Sequence, residues 1–265
     1  MIVFFLVPLF AILALSLETG NPFNGFRLTW NFGVYGDAIR LYHTQFIRSF
    51  WYGGLSTVLA LVIMYPVAYW IAFYGGKHKN TYLFLVLLPF FVSFVIRILT
   101  WSFILSDQGI VLGTLKNWHI LPQNLHVLST TVAVVAGLTY DVLPFMALPI
   151  YVALERIDHR VIEAAADLYS NRTQRFLRVV LPLSAPGVYA GILLVFITNV
   201  GDYLAASILG GPNNTMIGNI IQQRYLTNFD YPMASALSVL LMATLIIGMY
   251  LYARTFGARS IEEYV

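Results

Sequence analysis

The sequence predicts an all-α membrane protein of six transmembrane helices. Three observations predict it. Of the 265 residues 59% are hydrophobic, only 10% are charged, and the apolar residues fall into six runs separated by short polar connections. A soluble domain carries about 25% charged residues, so this chain has too few Asp, Glu, Lys and Arg to cover a water-facing surface. The mean hydropathy of +0.75 agrees.

The runs cover roughly residues 1–17, 50–73, 81–105, 127–153, 186–209 and 233–256. Five are long enough to cross about 30 Å of hydrocarbon as helices, and the first sits at the lower limit. That first run also invites a signal-peptide reading. No basic residue precedes it, however, and Leu15-Ser16-Leu17 makes a poor small-residue cleavage site, so a retained helix is expected.

Orientation follows from the basic residues. Placing both termini in the cytoplasm puts Lys77, Lys79, Arg156, Arg160, Arg172, Arg175, Arg178, Arg254 and Arg259 inside, against Arg27, Arg40, Arg48, Lys116 and Arg224 outside. The inner excess fits the positive-inside tendency, although three of the outer five crowd into the 17–49 connection. Pro66, Pro89, Pro144 and Pro149 interrupt or edge the runs. Proline removes a backbone donor, which membrane helices tolerate where a neighbour or water satisfies the freed carbonyl. Without internal repeats or linkers, residues 1–265 read as one transmembrane domain.

Composition also excludes classes. The formal charge of +3 lies in loops between apolar runs, where topology explains it, so nucleic acid is not an expected partner. With 0 Cys there is neither a disulfide framework nor a thiolate site. His43, His78, His119, His126 and His159 show no paired metal spacing, and neither H-E-x-x-H nor G-x-S-x-G occurs. No catalytic residue, metal site or enzyme activity is expected.

The longest polar inner stretch, about 154–182, reads LERIDHRVIEAAADLYSNRTQRFLRVVLP. Asp158 suits the start of a short helix carrying Glu163, Ala164, Ala165, Ala166 and Asp167. Ser170 or Asn171 can cap a second helix through Arg172, Arg175 and Arg178 to Pro182. A helix-turn-helix on a membrane face results.

Here the chain resembles the type I ABC importer permeases, whose cytoplasmic loop reads E-A-A, three residues, Gly, nine residues, then Ile-x-Leu-Pro. Glu163-Ala164-Ala165 and Val179-Val180-Leu181-Pro182 stand at that spacing, while Tyr169 replaces the glycine and shifts the turn geometry onto itself or Asn171. The resemblance implies the MetI-like permease bundle and a coupling segment, Glu163 to Tyr169 with Leu168, that docks on an ATPase. It also implies a bacterial inner membrane, a second permease subunit of different sequence, two ATPase subunits that bind ATP and Mg, and an extracytoplasmic substrate-binding protein. No cofactor is implied on this chain itself. The arginines at 172, 175 and 178 suit lipid phosphate or acidic ATPase surface.

Further runs, Val95-Ile96-Arg97, Leu143-Pro144-Phe145-Met146, Gly201-Asp202-Tyr203, Leu209-Gly210-Gly211-Pro212, Met216-Ile217-Gly218-Asn219 and Gln222-Gln223, are similar to those of spermidine and putrescine permeases. Permeases for opines, thiamine or other small solutes look much the same. A secondary transporter would also need six spans and buried charges, but has no use for a spaced docking loop.

Charge gives a separate hint about cargo. An ionisable group inside a span costs about 2.5–3.5 kcal/mol on insertion scales, so Asp141, Asp202 and Arg97 are expected to avoid lipid. Two carboxylates against one guanidinium leave a negative interior that favours a cationic solute. Tyr140 and Tyr203, beside the aspartates, offer aromatic faces to an alkylammonium group, and Asn199 lies one helical turn from Asp202. The alternative is structural, with Arg97 pairing to Asp141 or Asp202 to lock helices together, or with Asp202 solvated at the span's end.

Overall fold

The computed structural model describes residues 2–23, 25–167 and 171–257. Helices dominate them: α1 (Ile2–Ser16), α2 (Gly33–Tyr74), α3 (Lys79–Leu87), α4 (Phe94–Leu105), α5 (Leu112–Asn117), α6 (Thr131–Glu155), α7 (His159–Asp167), α8 (Arg172–Arg175), α9 (Leu181–Val200), α10 (Leu204–Leu209), α11 (Ile217–Leu226) and α12 (Tyr231–Tyr252). Among the described residues, four helical stretches are long and apolar enough to cross a membrane, namely Gly33–Tyr74, Thr131–Glu155, Arg172–Val200 and Tyr231–Thr255. A bent pair, Gly76–Phe91 with Phe94–Leu105, adds a fifth, and Leu6–Ser16 is a shorter apolar helix. Each of the six apolar runs of the sequence therefore lies largely on helix.

Several boundaries differ from the sequence reading. α2 begins at Gly33, far ahead of 50, because Asp37, Arg40, His43 and Arg48 give its first turns a polar composition that hydropathy reads as loop. The third run is two helices bent by 88°. Pro89 sits in a 3-10 turn over Leu88–Phe91, the turn closes through Val92 N–H to the Pro89 carbonyl at 3.1 Å, and Val92 is extended. The expected stop at Pro182 does not occur. A π turn at Phe176–Val180 joins α8 to α9, so the change in hydrogen-bond register is taken before the proline rather than at it. The connection after α1 carries an unforeseen hairpin, β1 (Glu18–Asn21) antiparallel to β2 (Gly25–Leu28), with Glu18 opposite Leu28. Its turn needs Gly20 at φ 148° and Gly25 at φ 77°, where a side chain is disfavoured.

The chain divides into two compact units. The first comprises Met1–Tyr52, Trp101–Val134 and Val200–Leu251. Asn214 ties its turns together: Oδ1 accepts from the Tyr52 hydroxyl at 2.8 Å and the Thr131 hydroxyl at 3.1 Å, while Nδ2 donates to the Ser129 and Gly210 carbonyls. Ser49 Oγ accepts the Ile217 amide hydrogen at 2.8 Å, and Arg48 donates to the Thr215 carbonyl at 3.0 Å. Buried Lys116 pairs with Asp107 at 2.8 Å. Replacing Asn214 by Leu strands several of these partners at once and is expected to cost about 2 kcal/mol, read as a lower unfolding midpoint in detergent.

The second unit comprises Gly53–Thr100, Val135–Asn199 and Tyr252–Val265. Its core gathers Met64, Tyr65, Ala68, Ile71, Met146, Ile150, Leu154, Val180 and Val195. The Tyr65 and Ser184 hydroxyls share a hydrogen bond at 2.8 Å, which lets a polar tip end in this apolar layer. α9 meets α6 through glycines. A Cβ on Gly187 would stand 2.4 Å from the Ala153 Cβ and the Pro149 carbonyl oxygen, and one on Gly191 would stand 2.9 Å from Met146 Sδ. Gly187 and Gly191, four apart, form the small-residue stripe that allows membrane helices to approach closely.

Candidate functional site

The sequence nominates residues in both units. In the second unit, α6 carries Tyr140 and Asp141 along its buried length, and Asp141 is only 6% exposed. Arg97, in the first turn of α4, lies 8% exposed with its Nη1 3.3 Å from Asp141 Oδ1. The Phe94 and Phe90 rings lie 5.8 and 6.0 Å from the guanidinium, giving the charge aromatic faces as well as an anion. Of the two carboxylates offered to Arg97 by the sequence, the structure gives it Asp141. That pair is neutral overall, so Asp141 adds no net negative charge.

Asn199 is 1% exposed, and its Nδ2 donates to Ser56 Oγ at 2.8 Å, with Ser56 in turn donating to the Gly53 carbonyl. Ser56 was not anticipated; a lone serine in an apolar run is the only mark it leaves in the sequence. The expected shared helical face of Asn199 and Asp202 is not formed, because α9 ends at Val200.

In the first unit, Asp202 and Tyr203 occupy the break between α9 and α10. Asp202 Oδ1 accepts the Ala205 amide hydrogen at 2.8 Å and so satisfies a buried amide in the first turn of α10, where a carboxylate is also favoured by the helix dipole. It lies outside the fifth span rather than inside it. Tyr203 is 43% exposed, and its carbonyl accepts from Asn219 Nδ2. The connection between the fifth and sixth apolar runs contains α11; Asn219 Oδ1 accepts the Met216 amide hydrogen at 2.8 Å and starts that helix.

The inner loop carries both expected short helices, α7 and α8. Asp158 Oδ1 accepts the Arg160 amide hydrogen at 2.9 Å at the head of α7. Asn171, one of the two expected caps, exchanges reciprocal hydrogen bonds with Gln174 at the head of α8. Ile162 and Phe176 pack against the second unit's core, whereas Glu163, Ala164, Ala166 and Asp167 are exposed and Ala165 is half-buried. α7 thus packs inward through Ile162 and presents a small, acidic-edged face. Leu168 and Tyr169, the last two of the coupling segment, lie outside the described residues.

Residues 64–259 match the family described as "Binding-protein-dependent transport system inner membrane component". The spermidine/putrescine transport system permease protein PotB of Haemophilus influenzae is 36% identical over 255 residues, covering 96% of this chain and 89% of that protein. PotB of Escherichia coli is 30% identical over 266 residues, covering 100% and 96%. Among solved structures, an inward-facing MetNI methionine ABC transporter chain superposes with a TM-score of 0.66 at 19% identity, covering 83% of this chain and 96% of that one. That likeness is of fold. The chain accordingly belongs to the family of inner-membrane components of binding-protein-dependent transport systems, the permease subunits of ABC importers.

Proposed function

We propose that this permease imports a polyamine such as spermidine or putrescine. The observation that carries the reading is the 36% identity, across 96% of the chain, to a spermidine/putrescine permease. An importer of this kind contains a second permease subunit of different sequence, two ATPase subunits holding ATP and Mg, and an extracytoplasmic binding protein, with both termini of this chain in the cytoplasm. The exposed face of α7, Glu163 to Asp167, docks on an ATPase subunit; it is short, anchored from behind by Ile162, and small enough for close approach. Asp202 and Tyr203 in one unit, and Tyr140, Asp141 and Asn199 in the other, are the proposed pathway residues. Of the two carboxylates, Asp202 is the one offered to cargo charge, since Asp141 is matched by Arg97.

The test is ATP hydrolysis by the reconstituted importer with its binding protein. Spermidine or putrescine is expected to stimulate it, and Glu163→Ala to weaken that coupling. Asp202→Asn keeps an acceptor for the α10 cap but removes the charge, so it is expected to raise the KM for polyamine about tenfold, the loss of one charge-assisted hydrogen bond. Stimulation by neutral or anionic solutes alone overturns the polyamine reading.

A further inference from the structure

The helix pair that follows Asp202 flanks an open recess of about 480 Å³, within the ~300–1,000 Å³ range of small-molecule sites. Ser207 on α10, Thr215 in the connecting turn, and Asn219, Gln222, Gln223 and Thr227 on or just after α11 supply its polar lining. Positions 219, 222 and 223 follow the three- and four-residue spacing that puts side chains on one helical face. On the other side of α11, Ile217, Gly218 and Ile220 are buried.

Two features separate this recess from an ordinary wetted helix face. First, its lining is rich in hydrogen-bonding groups but holds no Asp, Glu, Lys or Arg. The one charged residue of α11, Arg224, is instead engaged by the Tyr42 hydroxyl and by Asp230 at 3.1 Å. Second, the recess adjoins the candidate pathway. Asn219 donates to the Tyr203 carbonyl, and Gly218 lies so close to the Gly201 and Asp202 carbonyl oxygens that a Cβ there would come within 2.9 Å of both. The absence of a side chain at Gly218 is what lets α11 seat against Asp202.

We propose that the recess between α10 and α11 is a neutral subsite for the ammonium groups of the cargo, adjoining Asp202; this rests on the polyamine reading above. Carboxamide and hydroxyl oxygens accept from an ammonium group and replace part of its water shell, as carbonyl rings do for ions in channels. Being uncharged, they hold a cation less firmly than a buried carboxylate. That suits a solute that has to leave again.

The experiment measures KM for spermidine uptake by the reconstituted importer carrying Gln223→Glu, Gln223→Lys or the double variant Gln222→Leu/Gln223→Leu. Gln223 is exposed and lies on the recess face, so either charge is carried without a burial cost. The subsite predicts opposite signs: Gln223→Glu lowers the KM, Gln223→Lys raises it about tenfold, and the double Leu variant also raises it. Equal effects of Glu and Lys, or a KM unmoved in all three, overturn the subsite while leaving the polyamine reading in place. A wild-type importer indifferent to both spermidine and putrescine overturns that reading, and the subsite with it.

Discussion

Arg97→Ala is expected to destabilise the folded chain by about 3–5 kcal/mol, the cost of leaving one member of a buried ion pair behind. Arg97 and Asp141 are 8% and 6% exposed and 3.3 Å apart, in an apolar setting that includes Phe90 and Phe94. Removing the guanidinium leaves the Asp141 carboxylate without its counter-charge where water cannot replace it. The measurement is the thermal midpoint of the detergent-solubilised protein, where this loss corresponds to a fall on the order of 10 °C. A double variant, Arg97→Met/Asp141→Leu, removes both charges and is expected to recover most of the loss, because apolar replacement of a whole buried pair is often neutral. If Arg97→Ala melts with the wild type, the pair holds nothing together.

Gly187→Ala is expected to cost about 3 kcal/mol, although the same change at Gly191 costs under about 1 kcal/mol. At Gly187 the new methyl would meet the Pro149 carbonyl and the Ala153 Cβ, both at 2.4 Å, and neither can turn aside without moving α6. At Gly191 it would meet Met146 Sδ at 2.9 Å, an unbranched and adaptable side chain. Paired thermal melts of the two variants test the difference. Equal midpoints would show that α6 and α9 are not held by backbone contact.

How much was legible beforehand depended on range. The apolar runs were visible because lipid exposure imposes composition along a spanning helix, and the inner loop was visible because its caps and alanines act within a few residues. Asp158 and Asn171 meet partners two or three positions away. The start of α2 was not visible, because its polar first turns are anchored by distant groups, Arg48 by Thr215 and Tyr42 by Arg224. Nor was the end of α9 at Val200, since Gly201-Asp202 within an apolar run reads as continuous hydropathy. The break turned Asp202 from a residue inside a span into one that starts the next helix. For Arg97 the sequence offered two acids with equal warrant, and only the fold, which sets Asp141 44 positions along the chain against it, chose between them.

The glycine contact between α9 and α6 has a thermodynamic corollary. Lipid tails are as apolar as the side chains of these helices, so parting them in a bilayer moves no hydrocarbon into water. The usual source of a heat-capacity change on separation is therefore absent. What holds the two backbones is dispersion, which falls away within an ångström of lost contact. This joint is accordingly governed by distance, with little of the temperature curvature that marks a water-driven core.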